Sequence, residues 1–249
     1  MYSKICISIN NLTKRYKGSD NESLKQISFN INRGEKFGIL GPNGAGKTTL
    51  ISILCGILSE TSGEFNFYRD DLKLSEREIK SVIGYVPQEY AFYEDLSPWQ
   101  NMMYFGSLYN LPEKEIKIRS EEIFSVLGLG NIANKKTKIF SGGMKRRMNM
   151  AIGIIHKPEV LFLDEPTVGA DVQSKHAMME YLEKLNAGGT TIIYSSHLME
   201  EAEAFCERVA FIHKGELIAC DNLKTMIEKN NTSNLKSLFL QLTGEGYYD

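Results

Sequence analysis

The chain has 249 residues, 42% of them hydrophobic and 24% charged, with 29 basic and 31 acidic side chains giving a net charge of −2. That balance excludes disordered and fibrous classes, and at about 150 residues per domain it allows one large domain or a core with a sub-domain. It also argues against a nucleic-acid binder working by bulk charge. No apolar run nears the roughly 18–20 residues of a membrane helix, and residues 1–10 lack the apolar stretch of a secretory signal.

Alternation at Ile5, Ile7 and Ile9, and again at Ile27, Phe29 and Ile31, predicts two half-buried strands. Asn32-Arg33-Gly34 is a turn, and Phe37-Gly38-Ile39-Leu40 reads as a buried strand. A glycine-rich loop follows. Thr48 to Leu58 then predicts a helix with Leu50, Ile51, Leu54, Ile57 and Leu58 on its apolar side. Glu64 to Tyr68 and Val82 to Val86 are further strands. From about Tyr90 to Ala151 apolar residues recur at helical spacing, as in Ile123, Val126 and Leu127, and predict a helical sub-domain.

Val160-Leu161-Phe162-Leu163 is another buried strand. Ser174 to Asn186 reads as a helix striped by Ala177, Met178, Tyr181, Leu182 and Leu185 and stopped by Gly188-Gly189. Thr190 to Ser195 predicts a strand, Leu198 to Cys206 a helix, and Val209 to Ala219 a hairpin around Lys214-Gly215. The remaining residues are polar and predict only a small helical tail. Strand–helix alternation implies an α/β fold with a mainly parallel sheet. Cys6, Cys55, Cys206 and Cys220 are far apart, with no CxxC pair and no zinc pattern; they read as reduced thiols of a cytosolic protein.

Gly41-Pro42-Asn43-Gly44-Ala45-Gly46-Lys47-Thr48 fits GxxxxGK[ST], after a predicted strand and before a predicted helix. Glycines let the backbone turn tightly, so that successive N–H groups and a helix N-terminus face an anion. Asn43, Gly44, Ala45, Gly46 and Lys47 are thus candidate phosphate contacts, with Lys47 at the β- and γ-phosphates. Thr48 is a candidate Mg²⁺ ligand, and Thr49 a further donor. The strand Val160–Leu163 ends in Asp164-Glu165-Pro166. Ligands collect at the C-terminal edge of a parallel sheet, so Asp164 is a candidate for Mg²⁺ and Glu165 for general base toward an attacking water.

Phe140-Ser141-Gly142-Gly143-Met144 precedes the acidic strand, Gln88 follows a strand ahead of the helical region, and His197 follows the strand Thr190–Ser195. With the phosphate loop and Asp164-Glu165, these motifs resemble the nucleotide-binding subunit of ATP-binding cassette (ABC) transporters, from Tyr16 to His197. The resemblance implies a P-loop NTPase core with a mainly parallel sheet, an N-terminal antiparallel β sub-domain and an inserted helical sub-domain. On this chain, residues 1–89 and 152–228 would form the core, 90–151 the helical sub-domain and 229–249 a short tail of a single ABC ATPase domain.

It further implies that Tyr16 stacks on adenine and that Gln88 touches Mg²⁺ or water and senses the membrane partner. Ser141, Gly142 and Gly143 would bind the γ-phosphate of ATP held by an opposite subunit. His197 would contact that phosphate and orient the catalytic water, and Asp171 would lie in the loop crossing between subunits. The usual signature reads Leu-Ser-Gly-Gly-Gln. The Phe140 and Met144 variant looks like the branch exporting drugs, lipids and polysaccharides.

The implied function is ATP hydrolysis with ATP and Mg²⁺ at a head-to-tail dimer, of two copies or of this chain with a related cassette. It would drive export through separate transmembrane permease subunits. The protein would be cytoplasmic and peripheral on the cytoplasmic face of the cell membrane, with no nucleic acid as partner. Of the aromatic-rich stretch Tyr90, Phe92, Tyr93, Leu96, Trp99, Tyr104 and Phe105, at least half is expected to pack inside the helical sub-domain, while Glu89, Tyr90, Phe92 and Tyr93 are expected to meet a partner helix. Lys145-Arg146-Arg147 reads as the solvated face of a helix. A soluble ABC ATPase and an importer remain alternatives. A GTPase fits less well, because Asn134-Lys135-Lys136-Thr137 lacks the acid of a guanine reader.

Overall fold

The computed structural model describes residues 4–244; residues 1–3 and 245–249, including the end of the expected tail, lie outside the described residues. In chain order the elements begin with β1 (Ile5–Arg15), β2 (Glu22–Asn32), β3 (Lys36–Leu40), α1 (Lys47–Leu54), β4 (Ser62–Arg69), β5 (Leu72–Lys73), α2 (Glu76–Val82) and β6 (Ile83–Val86). Next come α3 (Pro98–Leu108), α4 (Glu113–Val126), α5 (Gly142–Ile154), β7 (Val160–Asp164) and α6 (Val172–Ala187). The chain closes with β8 (Thr191–Ser196), α7 (Met199–Phe205), β9 (Arg208–His213), β10 (Glu216–Asn222), α8 (Leu223–Lys229) and α9 (Leu235–Thr243). These elements form two compact units, one from the stretches up to Lys80 and from Thr191 onward, the other Ser81–Thr190.

In the first unit an antiparallel sheet has the order β2-β1-β4-β5. Ile7 pairs with both Ile31 and Phe67, and Ile9 with Phe29. All but Phe67 are alternating residues of the sequence, and all five are buried. Elsewhere in this unit β3 runs parallel to β8 on one side and β9 on the other, and β10 pairs antiparallel with β9. The β9–β10 turn is Lys214 (φ 50°) and Gly215 (φ 80°), two positive-φ residues as a tight two-residue hairpin requires. The glycine-rich loop leaves the C-terminal end of β3 and enters α1, so its N–H groups gather where parallel strands end.

Two expectations change here. The helix after the loop ends at Leu54 rather than Leu58. Gly56 adopts φ 71° and stops it, with Gly56 N–H donating to Ile53 O (2.9 Å) and Ile57 N–H to Ser52 O (2.8 Å), the two bonds of a Schellman cap. Ile57, expected on the apolar face, is therefore 58% exposed. The C-terminal stretch is more than a polar tail. Leu235, Leu238 and Phe239 of α9 are buried, and Phe239 packs on Phe211 of β9 at 5.6 Å between ring centroids. Their i, i+3, i+4 spacing makes one apolar stripe that the polar average of the segment conceals.

In the second unit β6 and β7 pair in parallel, from Ile83↔Val160 to Val86↔Leu163. Every residue of β7 is buried, as its unbroken apolar run requires, and each of Leu161, Phe162 and Leu163 contributes about 1.5–3 kcal/mol by leaving water. Helix α3 starts at a capping box: Ser97 Oγ accepts from Gln100 N–H (3.3 Å), Gln100 Oε1 accepts from Ser97 N–H (2.9 Å), and Pro98 fills the first helical position.

Candidate functional site

The first unit holds the phosphate-loop half of the expected site. Gly46 is the residue preceding α1, at φ 110°. A Cβ there would lie 2.6 Å from Ser23 O and 2.8 Å from Leu24 Cδ2, so only glycine lets β2 approach the loop this closely. Lys47 is 4% exposed, with Nζ donating to Gly41 O (2.9 Å) and Pro42 O (3.1 Å). Its ammonium thus lies over the loop, where an anion cradled by the same backbone would meet it. Asn43, Gly44 and Thr48 are exposed and Ala45 is buried. Tyr16, just past β1, is 41% exposed, and its hydroxyl lies 3.2 Å from Thr49 Oγ1. That bond anchors the ring at its tip while the ring stays open to solvent. His197 directly follows β8 and is half-buried.

The second unit holds the acids and the signature. Asp164 ends β7 and is fully buried; Glu165 is 6% exposed and adopts φ 48°. Gln88, exposed two residues beyond β6, donates from Nε2 to Glu165 Oε2 at 3.3 Å. The chain thus brings together two expected site residues 77 positions apart. Ser141 caps α5: its Oγ accepts from Met144 N–H (3.3 Å), while Met144 Sδ accepts from Ser141 N–H (3.4 Å). The thioether therefore takes the place that a glutamine side chain holds in an ordinary capping box, with a weaker acceptor.

Gly143 is buried, and only glycine fits there, because a Cβ would collide with the Asp171 carboxylate and stand 3.0 Å from Ser174 Cβ. Asp171 itself caps α6, accepting from Ser174 N–H at Oδ1 (2.8 Å) and from Ser174 Oγ at Oδ2 (2.8 Å). The Ser174 N–H first, and then its hydroxyl, hold the Asp171 carboxyl below the usual carboxylate range. This capping role within the chain is one the sequence reading missed; the signal was Asp-x-x-Ser ahead of an apolar-striped helix.

The basic triplet is not the solvated face expected of it. Lys145 pairs with the Glu94 carboxylate, Arg146 reaches the carbonyls of Gln88 and Val168, and Arg147 donates to Leu127 O at 2.7 Å. All three are half-buried. Asn149, one turn further, was also missed; nothing in its immediate sequence marks it. The aromatic stretch divides between core and surface. Trp99 packs edge-on against Phe124 at 5.3 Å, while Tyr90, Tyr93 and Tyr104 are 39%, 50% and 42% exposed. Tyr93 donates to Tyr104 Oη (3.2 Å), and this bond raises the pKa of the Tyr93 hydroxyl.

Among the described residues no group of three or more His, Cys, Asp or Glu could hold a metal ion. Thr48, Asp164 and Gln88 supply a hydroxyl, a carboxylate and an amide, all oxygen donors. Each is a hard donor of the kind Mg²⁺ takes alongside waters and substrate phosphates. Among the described residues no helix is long and apolar enough to cross a membrane.

A family model described as ABC transporter matches residues 24–168. The linearmycin resistance ATP-binding protein of Bacillus subtilis is 45% identical over 196 residues, 79% of this chain and 63% of that protein, so the chain spans less than two thirds of that relative's length. The ABC transporter ATP-binding protein NatA of Bacillus subtilis is 32% identical over 237 residues, 94% of this chain and 96% of that one. Among solved structures, a dimeric ATP-binding cassette in a post-hydrolysis state bound to ADP and Pi superposes with a TM-score of 0.77 at 28% identity, covering 87% of this chain and 98% of that chain.

Proposed function

The chain belongs to the ABC transporter family and is one of its ATPase cassettes, and on that premise we propose that it hydrolyses ATP to drive export through separate membrane-spanning permease subunits. The loop of Asn43, Gly44, Ala45 and Gly46 wraps the phosphates with backbone N–H groups, and Thr49 adds a donor. Lys47 exchanges its present carbonyl partners for phosphate oxygens. Tyr16 stacks on adenine. Thr48, Asp164 and Gln88 hold Mg²⁺, which when bound neutralises charge on the β- and γ-phosphates.

Glu165 accepts a proton from the attacking water, and its hydrogen bond with Gln88 fixes where that proton is taken. His197 orients the same water. Ser141, Gly142 and Gly143 close on the γ-phosphate of ATP held by a second cassette, a copy of this chain or a relative, with Asp171 at the same seam. Loss of that phosphate reopens the pair, since closure depends on preferring ATP over ADP. The solved dimeric cassette with ADP and Pi supports this reading, and the resistance role of the Bacillus relative supports export. The domain organisation is that of a single cassette with residues 90–151 as its helical sub-domain. The protein lies peripherally on the cytoplasmic face of the cell membrane, held through Glu89, Tyr90, Phe92 and Tyr93.

The observation that carries the reading best is the Gln88–Glu165 contact beside the fully buried Asp164. A Glu165→Gln chain is expected to bind ATP as the parent does while hydrolysis falls by about 10²–10⁴-fold, the usual worth of a general base. Hydrolysis at the parental rate would contradict the assignment.

A further inference from the structure

Residues 87–91, which carry Gln88, belong to no helix or strand. Their backbone polar groups must find partners elsewhere, and two side chains of α5 supply them. Asn149, 2% exposed, donates from Nδ2 to Pro87 O (2.9 Å) and Glu89 O (3.1 Å), and its Oδ1 accepts from Ala91 N–H (2.9 Å). Arg146, three residues earlier and so on the same helix face, donates from Nη1 to Gln88 O and from Nε to Val168 O (2.9 Å). Tyr90 lies against its guanidinium, 5.0 Å from ring centroid to Cζ, and steadies its plane.

These contacts close a ring. The Gln88 amide holds the Glu165 carboxylate; Glu165 O accepts from Val168 N–H (3.3 Å); Val168 O accepts from Arg146; and Arg146 returns to Gln88 O. Glu165 also sits at φ 48°, a conformation that non-glycine residues keep only where the surroundings hold it. We propose that Arg146 and Asn149 are positioning residues for hydrolysis, setting the Gln88 segment and through it the direction of the Glu165 carboxylate. This rests on the reading of Glu165 and Gln88 as the hydrolytic pair.

The test uses the purified full chain and compares Arg146→Met, Arg146→Lys and Asn149→Asp with the parent and with Glu165→Gln. The readouts are kcat, KM for MgATP, Kd for a non-hydrolysable ATP analogue, and thermal unfolding. Asn149→Asp is isosteric: it still accepts from Ala91 N–H but sets a carboxylate against two carbonyls. Arg146→Met keeps the aliphatic stem and loses the fork. Both are expected to lower kcat by roughly ten- to a hundredfold, the cost of a small misplacement of reacting groups. KM and Kd should stay within about twofold, because that split marks groups acting on the transition state. Arg146→Lys recovers part of the loss, since an ammonium reaches one carbonyl and cannot fork to two. Adding Gln88→Ala to Arg146→Met should cost less than the sum of the two single changes.

Parental kcat in Arg146→Met and Asn149→Asp, with Glu165→Gln inactive, overturns the positioning role and leaves the hydrolytic pair standing. Equal losses in kcat, Kd and melting temperature overturn it as well, by making the two side chains merely structural. Undiminished turnover in Glu165→Gln removes the reading on which the proposal rests.

Discussion

Gly46→Ala separates backbone strain from steric conflict in the phosphate loop. At φ 110° an alanine costs about 1–3 kcal/mol for conformation alone. Its Cβ would also stand 2.6 Å from Ser23 O, a backbone atom of β2 that cannot swing aside, and 2.8 Å from Leu24 Cδ2. Relieving such overpacking costs roughly another 1–3 kcal/mol. With about 2–4 °C per kcal/mol for a chain of this size, the nucleotide-free protein should melt on the order of 5–20 °C lower. Gly44→Ala is the internal control: φ is 77°, but no atom lies within 4 Å of its Cβ, so it carries only the conformational share. Thermal unfolding followed by circular dichroism, without nucleotide, compares the two. Titration with a fluorescent ATP analogue should show Gly46→Ala binding more than about tenfold weaker, because Lys47 and the first N–H groups of α1 move with residue 46. Equal melting temperatures for the two variants would refute the close approach of β2 to the loop.

Tyr16→Ala should weaken ATP binding by roughly 1–3 kcal/mol, the worth of one base–aromatic stack, whereas Tyr16→Phe, which loses only the bond to Thr49, should stay near the parent; equal losses in an equilibrium titration would show that the hydroxyl, not the ring, matters. Burial holds His156 at a pKa of about 4, below its ordinary 6.5, although Nε2 bonds Ile83 O at 2.8 Å. Its stabilisation is therefore complete above pH 6.5 and is lost as pH falls toward 4, by about 3 kcal/mol. His156→Phe, which keeps an aromatic ring stacked on Tyr109, should flatten this pH dependence in denaturant titrations between pH 7 and 4.5, and an unchanged slope would rule it out. Tyr93→Asp should reduce co-purification with the permease while ATP affinity is unaltered; full recovery of the complex would place the docking surface elsewhere.

The phosphate loop and the acidic strand were legible because their chemistry is local: consecutive N–H groups, or two acids ending one buried strand. The alternations of β1 and β2 were legible for the same reason. Positions set by distant partners were not. Gln88 could be matched to a motif, yet its contact with Glu165 exists only because residues 77 apart meet in the fold. Lys145, Arg146 and Arg147 look like a solvated charge run in sequence and instead reach Glu94, Val168 and Leu127, from 20 to 51 residues away. Asn149 carried no sequence signal because its three partners are backbone atoms of another segment. The early end of α1 is readable in the sequence: Gly56 lies two residues before the expected terminus at Leu58, and a glycine at C′ stops a helix even where apolar residues continue beyond it.

The most direct measurement is isolation of a tagged Glu165→Gln chain, with ATP and Mg²⁺, from detergent-solubilised membranes of its native host, with its companions identified by mass spectrometry. The expected result is a stoichiometric multi-span membrane protein, held through an ATP-dependent pair of cassettes and lost when Tyr93→Asp is added. Ribosomal or DNA-repair proteins, or no companion despite an ATP-dependent pair, would contradict a transport role.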